Sequence, residues 1–552
     1  MTPEAVIRQR AASSAATGRT LFRRGSVYSP AHPHATALCV EDGHVVWLGD
    51  DDGAAQYADG ADTVVDLDGG LVTPAFVDAH AHLAQTGQAM TSLDLSGARS
   101  LGEALDALAS FARSHPSGLL LAFGWDDSTW PEERPFTVGE VDRAVGDRPA
   151  YLARVDVHSA VLSSALVHHM PGLPGIDGWS DDGWVQREAH HHARAVVQTL
   201  VGPDERRAAV VTALGAAARQ GIGAVHELGA PHLSLPGDFA LLRELRALQD
   251  APEVFGYWGD LGGVEAAAGL GCAGAAGDLC ADGAIGSHTA ALREPYADAD
   301  TRGHLYVDVD DVRDHVVACT RAGMQAGFHC IGDDATGTVL EGFRAAADVV
   351  GHEAMLSARH RLEHVEMVSA DDIATMAGLG IVASVQPMFD SWWGGPDGLY
   401  EKRLGERHTA MNPFATMTRA GVALAFGSDS PVTPFDPWGT VRAAAFHHNP
   451  QERLTVRAAF SAHTRGGWRA VRRDDAGVLA PGMPATLAVW EVPGELTVQT
   501  PDERVAAWST DPRAGVPVLP SLHPDHAPKD LPVCRRTYVD GRLIFDQESA
   551  RA

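Results

Sequence analysis

The sequence predicts an α/β protein: a (β/α)8 TIM-like barrel, with a small β-sandwich domain built from both termini and an insertion over the barrel mouth. Three observations predict this fold. Short alternating β segments occur at both ends of the chain, apolar β-branched runs alternate with alanine-rich helical periodicity between them, and one long segment interrupts that alternation. Alternating β and α units form a parallel sheet, and eight such units close into a barrel.

Length and composition are those of a large globular protein. The chain has 552 residues, of which 45% are hydrophobic and 21% are charged, and this length exceeds one ordinary core. No stretch approaches the roughly 18–20 apolar residues of a membrane span. The N-terminal segment MTPEAVIRQRAASSAATGRT has no apolar core of signal-peptide length. The sequence therefore predicts a cytoplasmic protein.

The charge balance restricts the expected partners. Lys and Arg number 43 against 72 Asp and Glu, which gives a net charge of −29. This excess argues against a nucleic-acid surface or an anionic membrane as partner. A small-molecule substrate is expected instead, and a homodimer is the usual assembly for such a barrel. The six cysteines form no CxxC pair, which predicts reduced thiols.

The two ends of the chain have matching β character. The N-terminal part, residues 1–72, contains ALCVEDGHVVWLGD, in which Asp42-Gly43 is a strong hairpin signal. The C-terminal part, residues 474–552, contains ATLAVWEV and RRTYVDGRLIFD, and the second of these turns at Asp540-Gly541. Together the two parts predict one β-sandwich.

The barrel is predicted over residues 73–473. In DERRAAVVTALGAAARQGIGAVHELG, for example, a helix from about 204 to 219 leads through Gly221 into a strand. The predicted strands are 72–82, 222–228, 253–260, 277–287, 324–333, 359–367, 381–389 and 422–430. The segment at about 95–200 is longer than a βα connection needs and is predicted to be the insertion.

Polar residues stand at the carboxyl ends of several predicted strands. They are His80, His82, His329, His364 and Asp429. Because these strand ends converge on one face of a barrel, four imidazoles and a carboxylate can surround a single point. A single HxH pair is a weak signal, but this conjunction favours a metal site. Imidazole suits Zn²⁺, Fe²⁺, Mn²⁺ or Ni²⁺, and a carboxylate beside the ion can accept a proton from water.

The motifs resemble those of the amidohydrolase superfamily, specifically amidohydrolase family three, which includes N-substituted formamide deformylases. They are LVTPAFVDAHAHL, GWDDSTWPEERP, VDVHSAVLSSAL, ADGAIGSHTAAL, GFHCIGDDAT, RHRLEHVE, SVQPMF and FGSDSPVTPFDPW. The resemblance implies a barrel with a terminal β-sandwich that hydrolyses non-peptide carbon–nitrogen bonds. It also implies that His80, His82, His329 and His364 are metal ligands, and that Asp429 is both ligand and proton shuttle.

The fourth strand departs from the family pattern. Many relatives carry a carboxylated lysine four residues before the DG dipeptide, where this sequence has Asp278. Neither Lys402, in a polar loop, nor Lys529, beyond the barrel, is placed to substitute. Two arrangements remain: one ion held by His80, His82 and Asp429 with a further histidine, or two ions bridged by Asp278. One ion per chain is favoured, with zinc as the first candidate, because an aspartate is shorter than a carboxylated lysine.

Three residues are expected to contact the substrate: Trp125, His158 and His288. Trp125 follows a glycine and is equally compatible with a packing role, whereas His158 is assigned by resemblance. His288 stands where relatives have arginine, so an anionic substrate end would be held differently.

Two further positions have predicted roles outside the ligand set. Glu363 precedes His364 and should face away from the metal, orienting a neighbour. The run His190-His191-His192 opens a helix, which favours a solvated face over a metal site.

The expected function is hydrolysis of a non-peptide carbon–nitrogen bond by metal-activated water. Asp429 is expected to accept the proton of that water and return it to the leaving nitrogen, while His364 or His158 stabilises the oxyanion. Ester hydrolysis, isomerisation or decarboxylation on the same scaffold remain alternatives, because a fold does not fix a function. A catalytically silent protein that only binds a small ligand is the alternative from another class.

Overall fold

Eight parallel strands form the central barrel of the computed structural model, which describes residues 18–248, 250–498, 515–523, 525 and 530–551. In chain order the strands are β1 (Phe76–Ala81), β2 (Ile222–Gly229), β3 (Glu253–Trp258), β4 (Gly274–Ala275), β5 (Gln325–Cys330), β6 (Arg361–His364), β7 (Val382–Val385) and β8 (Ala423–Phe426). Each pairs with its neighbour in sequence. The Asp429 N–H donates to the His80 carbonyl at 2.7 Å and joins the last strand to the first. The predicted barrel is therefore confirmed.

The fourth strand is much shorter than the predicted 277–287. Only Gly274–Ala275 are regular, and one further bridge pairs Cys280 with His329. Gly277 has φ +97°, a conformation that breaks a strand. Beyond it, the buried Asp282 side chain accepts backbone N–H groups in place of a neighbouring strand. The loop after the fourth strand is thus fixed by a side chain, which periodicity does not reveal.

Helices follow barrel strands and cover the outside of the barrel, and others belong to the insertion and the terminal segments. The α-helices are Asp51–Ala58, Leu83–Thr91, Leu101–Ser114, Val138–Val145, Ser164–Val167, Arg187–Leu200, Pro203–Arg219, Pro236–Leu248, Val264–Leu270, Val309–Arg321, Asp333–Val350, His352–Ala358, Ala370–Leu379, Pro387–Trp393, Leu399–Leu404, Phe414–Ala420, Pro437–Ala445, Val456–Ser461, Gly467–Ala470 and Gln547–Arg551. Shorter helical turns are Asp127–Thr129, Leu173–Gly175, Gly405–Ala410 and Ala462–Gly466. None of the helices in the described ranges is both long and apolar enough to cross a membrane.

Local sequence signals explain several helix starts. Asp308 and Asp311 form a reciprocal capping box that begins Val309–Arg321, because each carboxylate accepts the other residue's backbone N–H. Thr137 and Glu140 form the same device before Val138–Val145.

Strands from both ends of the chain form two packed sheets. One contains His44–Gly49, Ala37–Glu41, Arg19–Arg23 and Thr63–Asp66; the other contains Ser26–Val27, Leu71–Pro74, Leu487–Glu491, Val533–Val539 and Arg542–Asp546. Phe22, Val72, Leu487 and Tyr538 are among the side chains buried between them. A two-stranded sheet, Leu496–Thr497 with Leu519–Pro520, lies apart from these.

The two hairpins of this domain turn at the predicted dipeptides. Asp42 and Gly43 have φ +48° and +80°, and Asp540 and Gly541 have φ +47° and +75°. Two-residue turns with positive φ at both positions match the twist of the flanking strands. Both hairpin predictions are confirmed.

A separate five-stranded sheet is formed by the insertion, between the first and second barrel strands in the sequence. Its strands are Trp184–Gln186, Ser159–Leu162, Ala150–Arg154, Leu120–Trp125 and Leu93–Asp94, in spatial order. Apolar side chains of Leu101–Ser114 and Val138–Val145 share one core with this sheet. Side chains of Arg187–Leu200 share another core with the sheet and with residues of the barrel loops. This sheet brings residues 154–158 to the barrel mouth.

Candidate metal centre and active site

Six polar side chains meet at the carboxyl-terminal ends of the barrel strands. His80 lies next to the end of β1 and His82 follows that strand. His329 lies on β5, His364 ends β6, and Asp278 and Asp429 follow β4 and β8. All six are at most 8% exposed. Residues as far apart in sequence as His82 and Asp429 are in direct contact. The structure thus brings together every predicted ligand, including Asp278.

Four of these side chains enclose one small space. His80 Nε2 lies 3.3 Å from both Asp278 Oδ1 and Asp429 Oδ1, and His82 Nε2 lies 3.3 Å from Asp278 Oδ2 and 3.1 Å from Asp429 Oδ1. A tetrahedral ion with bonds of about 2.0–2.1 Å separates its ligand atoms by about 3.3–3.4 Å. The four separations match the spacing of neighbouring ligands around such an ion, with Asp278 meeting His80 through Oδ1 and His82 through Oδ2.

The remaining two histidines border the same space. His329 Nδ1 lies 3.8 Å from Asp278 Oδ1. The His364 ring centre lies 4.4 Å from that of His329 and 4.9 Å from that of His80. The Asp278 carboxylate therefore reaches both histidine pairs, despite its short side chain.

Protein acceptors fix the tautomer of each histidine. His80 Nδ1 is 2.9 Å from Glu363 Oε2, His82 Nδ1 is 2.8 Å from the Leu228 carbonyl, His364 Nδ1 is 2.8 Å from Gln386 Oε1, and His329 Nε2 is 3.3 Å from the Gly283 carbonyl. Because each acceptor is an oxygen, the ring nitrogen beside it carries the proton and the other nitrogen offers a lone pair to the centre.

Buried polar atoms without partners face this space. His80 Nε2, His329 Nδ1 and Asp278 Oδ1 form no hydrogen bond with any described group. Leaving such atoms unsatisfied is costly, and a bound cation would satisfy all three. The donor set of imidazole nitrogens and carboxylate oxygens thus fits a divalent transition metal.

The charges at the centre also favour a cation. Burial alone would raise the pKa of Asp429, but His80 and His82 outweigh it and hold that pKa well below the usual value. Burial likewise opposes protonation of His80, yet the Asp429 and Asp278 carboxylates raise its pKa well above normal. The carboxylates thus remain ionised and draw protons onto the histidines, and a divalent cation can replace those protons.

A buried ion pair between Arg361 and Glu363 lies against His80 Nδ1, the ring nitrogen that faces away from the centre. Glu363 accepts from Arg361 Nε at 2.5 Å and from Arg361 Nη2 at 2.9 Å. Arg361 also donates to the Ala79 carbonyl at 2.7 Å. Burial would raise the pKa of Glu363, but Arg361 lowers it to about 2. Glu363 is therefore ionised and has the orienting contact that the sequence predicts.

A cavity lies between the centre and the inserted sheet. Its lining includes His158, His364, Glu366, Asp429, Phe389, Trp393, Leu399 and Tyr400. The Tyr400 hydroxyl donates to Glu366 at 2.6 Å, and burial raises the pKa of Glu366 to about 7. The His158 ring centre lies 4.9 Å from that of His329. The cavity combines an apolar wall with direct access to Asp429.

A buried charge cluster joins the inserted sheet to the cavity. Arg154, 1% exposed, pairs with Asp126 at 2.7 Å, Asp127 at 2.9 Å and Asp156 at 2.8 Å. Asp156 lines the cavity and accepts from the Ser287 hydroxyl at 2.7 Å. Three carboxylates surround the one guanidinium, so Arg154 is not free to bind an anionic substrate.

Two of the residues predicted to contact the substrate, Trp125 and His288, do not line this cavity. Trp125 is fully buried in the inserted sheet, where its Nε1 donates to the Leu152 carbonyl at 3.0 Å and its ring packs against Trp130 and Phe136. His288 is turned to Asp298, with Nε2 and Oδ1 2.9 Å apart, and does not line the cavity. In both cases the partners that hold the side chain become evident only in the folded structure.

The histidine run and the lysines also differ in part from expectation. His190 is 1% exposed and bonds the Tyr151 hydroxyl at 2.8 Å, and His191 is half-buried, so the solvated-face prediction is wrong for both. Lys402 lies in the helix Leu399–Leu404, not in a loop, and donates to the Ser128 carbonyl away from the centre. Lys529 lies outside the described residues.

Backbone strain is concentrated at the centre. His364 and Asp429 have φ +71° and +56°, and the β-branched Val365 has φ +50°. Such conformations cost about 1–3 kcal/mol each and persist where the surrounding structure enforces them. Here the positive φ angles of His364 and Asp429 direct both side chains into the same space.

Sequence reasoning missed several cavity residues. Asp156, Glu366 and Tyr400 line the cavity without having been singled out. Asp156 lies inside the motif VDVHSAV, and Glu366 is the last residue of RHRLEHVE. An acidic residue within each motif could therefore have indicated a place near the site. Tyr400 has no such signal, because only the fold brings its helix to Glu366.

Replacing Trp125 with alanine is expected to destabilise the inserted sheet by about 3–5 kcal/mol, because a buried tryptophan is removed from a packed core. Urea denaturation monitored by fluorescence measures the shift. Trp392→Ala is the matched control, since that side chain is 45% exposed and should change stability little. If Trp125→Ala instead raised KM without lowering stability, Trp125 would be assigned a contact with the substrate.

Comparison with known proteins gives one consistent family. The sequence model of the amidohydrolase family matches residues 63–545. The chain is 26% identical to the putative amidohydrolase YtcJ of Bacillus subtilis, covering 82% of this chain and 90% of that protein. It is 23% identical to the N-substituted formamide deformylase of Arthrobacter pascens, covering 78% and 85%. An uncharacterized metal-dependent hydrolase from Pyrococcus furiosus superposes with TM-score 0.66 at 26% identity, covering 85% of this chain and 98% of that chain.

Proposed function

Because the chain belongs to the amidohydrolase family and is therefore a hydrolase, we propose that it cleaves a non-peptide carbon–nitrogen bond of a small molecule. The observation that supports this most directly is the close group of imidazole nitrogens and carboxylate oxygens beside a cavity that Asp429 lines. An amide-type substrate is consistent with the similarity to the Arthrobacter relative, an N-substituted formamide deformylase.

His80, His82, Asp278 and Asp429 would hold the divalent ion. Zinc suits this donor set, and iron, manganese or nickel are the alternatives. One ion per chain is proposed, because these four residues already place four ligand-type side chains around one point. When bound, the ion polarises the scissile carbonyl and lowers the pKa of water toward neutrality.

Asp429 is the proposed proton shuttle. It is ionised, lines the cavity and lies beside the ligand nitrogens of His80 and His82. It accepts a proton from the attacking water and returns it to the leaving nitrogen, whose departure as a neutral amine requires that proton.

His158 is the proposed donor to the developing oxyanion. Burial lowers its pKa well below the usual value, so the ring is neutral and carries one N–H. The ring borders both the cavity and His329. A neutral donor that is fixed before the reaction stabilises the negative charge that appears on the carbonyl oxygen. His364 is oriented by Gln386 and also lines the cavity.

The cavity favours neutral substrates with an apolar or aromatic group. Phe389, Trp393, Leu399 and Tyr400 supply much of its wall. Neither lysine nor arginine occurs among the described residues that line it. A substrate carboxylate would therefore be buried without a fixed cationic partner, which is unfavourable.

The test is a substrate panel on metal-depleted protein reloaded with zinc, iron, manganese or nickel in turn. The panel contains N-substituted formamides, N-acyl amines, cyclic ureides and simple esters, each as a neutral aromatic compound and as its carboxylate analogue. We expect metal-dependent amide hydrolysis with kcat/KM at least about tenfold higher for the neutral member of each pair.

Each other outcome has a defined meaning. Turnover of esters alone would replace the amide assignment. Metal binding without turnover of any compound would favour a protein that only binds a ligand. Turnover that persists after complete metal removal would contradict the role assigned to His80, His82, Asp278 and Asp429.

A further inference from the structure

A second cluster of ligand-type side chains lies near the candidate centre but does not belong to it. It consists of His191, His232 and Cys280, which we call the thiol cluster. His191 lies on the helix Arg187–Leu200, His232 follows β2, and Cys280 follows β4. One ligand atom from each of the three residues lies within 4.8 Å of the other two. Three separate parts of the chain thus converge on one point.

The two imidazoles of the thiol cluster are held by ring contacts, including one of 5.3 Å between the ring centres of His191 and Tyr306. Their ring centres are 4.2 Å apart in a near-parallel arrangement. Within the described part of the chain, no hydrogen bond is made by the ring nitrogens of His191 or His232. Cys280 Sγ makes only a weak contact of 3.6 Å with the Asp278 carbonyl. All three side chains are half-buried, so they are held in place yet reachable from solvent.

From this convergence we propose that the thiol cluster is a second metal site, which takes Zn²⁺ through two imidazoles and a thiolate. A tetrahedral zinc ion separates such ligand atoms by about 3.3–3.6 Å, so small side-chain rotations complete the site. On binding, the Cys280 thiol releases its proton to solvent and its sulfur bonds the ion. The fourth position stays open to water or another ligand.

The ligand types distinguish this site from the first one. The first centre offers nitrogen and oxygen atoms, whereas the thiol cluster offers a soft sulfur atom, which favours zinc over manganese or magnesium. Asp278 and Cys280 are two residues apart on the same segment, so the two sites are neighbours. The proposal does not depend on the proposed hydrolysis, since it concerns metal binding alone.

The test uses Co²⁺, loaded onto the metal-depleted full-length protein, as a spectroscopic substitute for zinc. A cobalt–thiolate bond gives a near-ultraviolet charge-transfer band, which nitrogen and oxygen ligands do not. We expect this band in the unmodified protein and in His80→Ala, and its loss in Cys280→Ser and His191→Ala. Cys272→Ser is the matched control, because Cys272 is also half-buried but lies outside the cluster.

A second measurement covers the case in which a variant fails to fold. The unmodified protein is alkylated with and without Zn²⁺, and the labelled cysteines are identified by mass spectrometry. We expect zinc to protect Cys280 and to leave the labelling of Cys272 unchanged. No thiolate band at saturating Co²⁺, a band that survives Cys280→Ser, or equal alkylation of Cys280 in both conditions would each overturn the proposal. Failure of this proposal can be distinguished from failure of the proposed hydrolysis, because neither the cobalt band nor the alkylation of Cys280 requires turnover.

Discussion

Replacing Asp429 with asparagine is expected to lower kcat by about 10²–10⁴-fold, the usual contribution of a general base. Asparagine keeps the size and shape of the side chain, so the fold should persist. It cannot accept the proton of the attacking water. The measurement is steady-state turnover at saturating metal, with circular dichroism and metal content recorded on the same samples.

Asp298→Asn provides the matched control for this experiment. Asp298 also pairs with a histidine, His288, but lies outside the cavity, and its loss should leave kcat within a few-fold of the original. An Asp429→Asn variant that retains metal and full turnover would show that another group moves the proton. Glu366, which also lines the cavity, would then be the next candidate.

Replacing Glu363 with glutamine is expected to weaken metal binding about 10–100-fold, the usual effect of removing a group that orients a ligand histidine. Glutamine loses the negative charge that faces His80 Nδ1 at 2.9 Å. It also leaves the fully buried Arg361 without its counter-charge, which should cost about 3–5 kcal/mol of stability. Metal titration and urea denaturation measure the two effects separately.

The double variant Arg361→Met, Glu363→Gln separates the two effects of Glu363. Removing both charges should recover much of the lost stability, because no buried charge is then unpaired. Metal affinity should remain low, since His80 still lacks its ionised acceptor. If the double variant regains metal affinity as well, Glu363 acts only through stability and does not orient His80.

The sequence alone predicts the parts of this protein that depend on local pattern. The alternation of β and α segments predicts the barrel, and the Asp-Gly dipeptides predict both hairpins, because period and turn chemistry are properties of neighbouring residues. The clustering of polar side chains at the barrel mouth is predictable for a related reason. Strand ends of a parallel barrel converge on one face, so His80, His82, His329, His364 and Asp429 must lie near one another once the strands are known.

The tertiary structure alone decided which partners several aromatic and polar side chains meet. Trp125 packs in a core because of Trp130 and Phe136, and His288 turns outward because Asp298 lies beside it. Three carboxylates neutralise Arg154, and three distant chain segments assemble the thiol cluster. The physical reason is that the orientation of a buried polar group depends on which partner satisfies its hydrogen bonds and charge, and the folded chain alone supplies that partner.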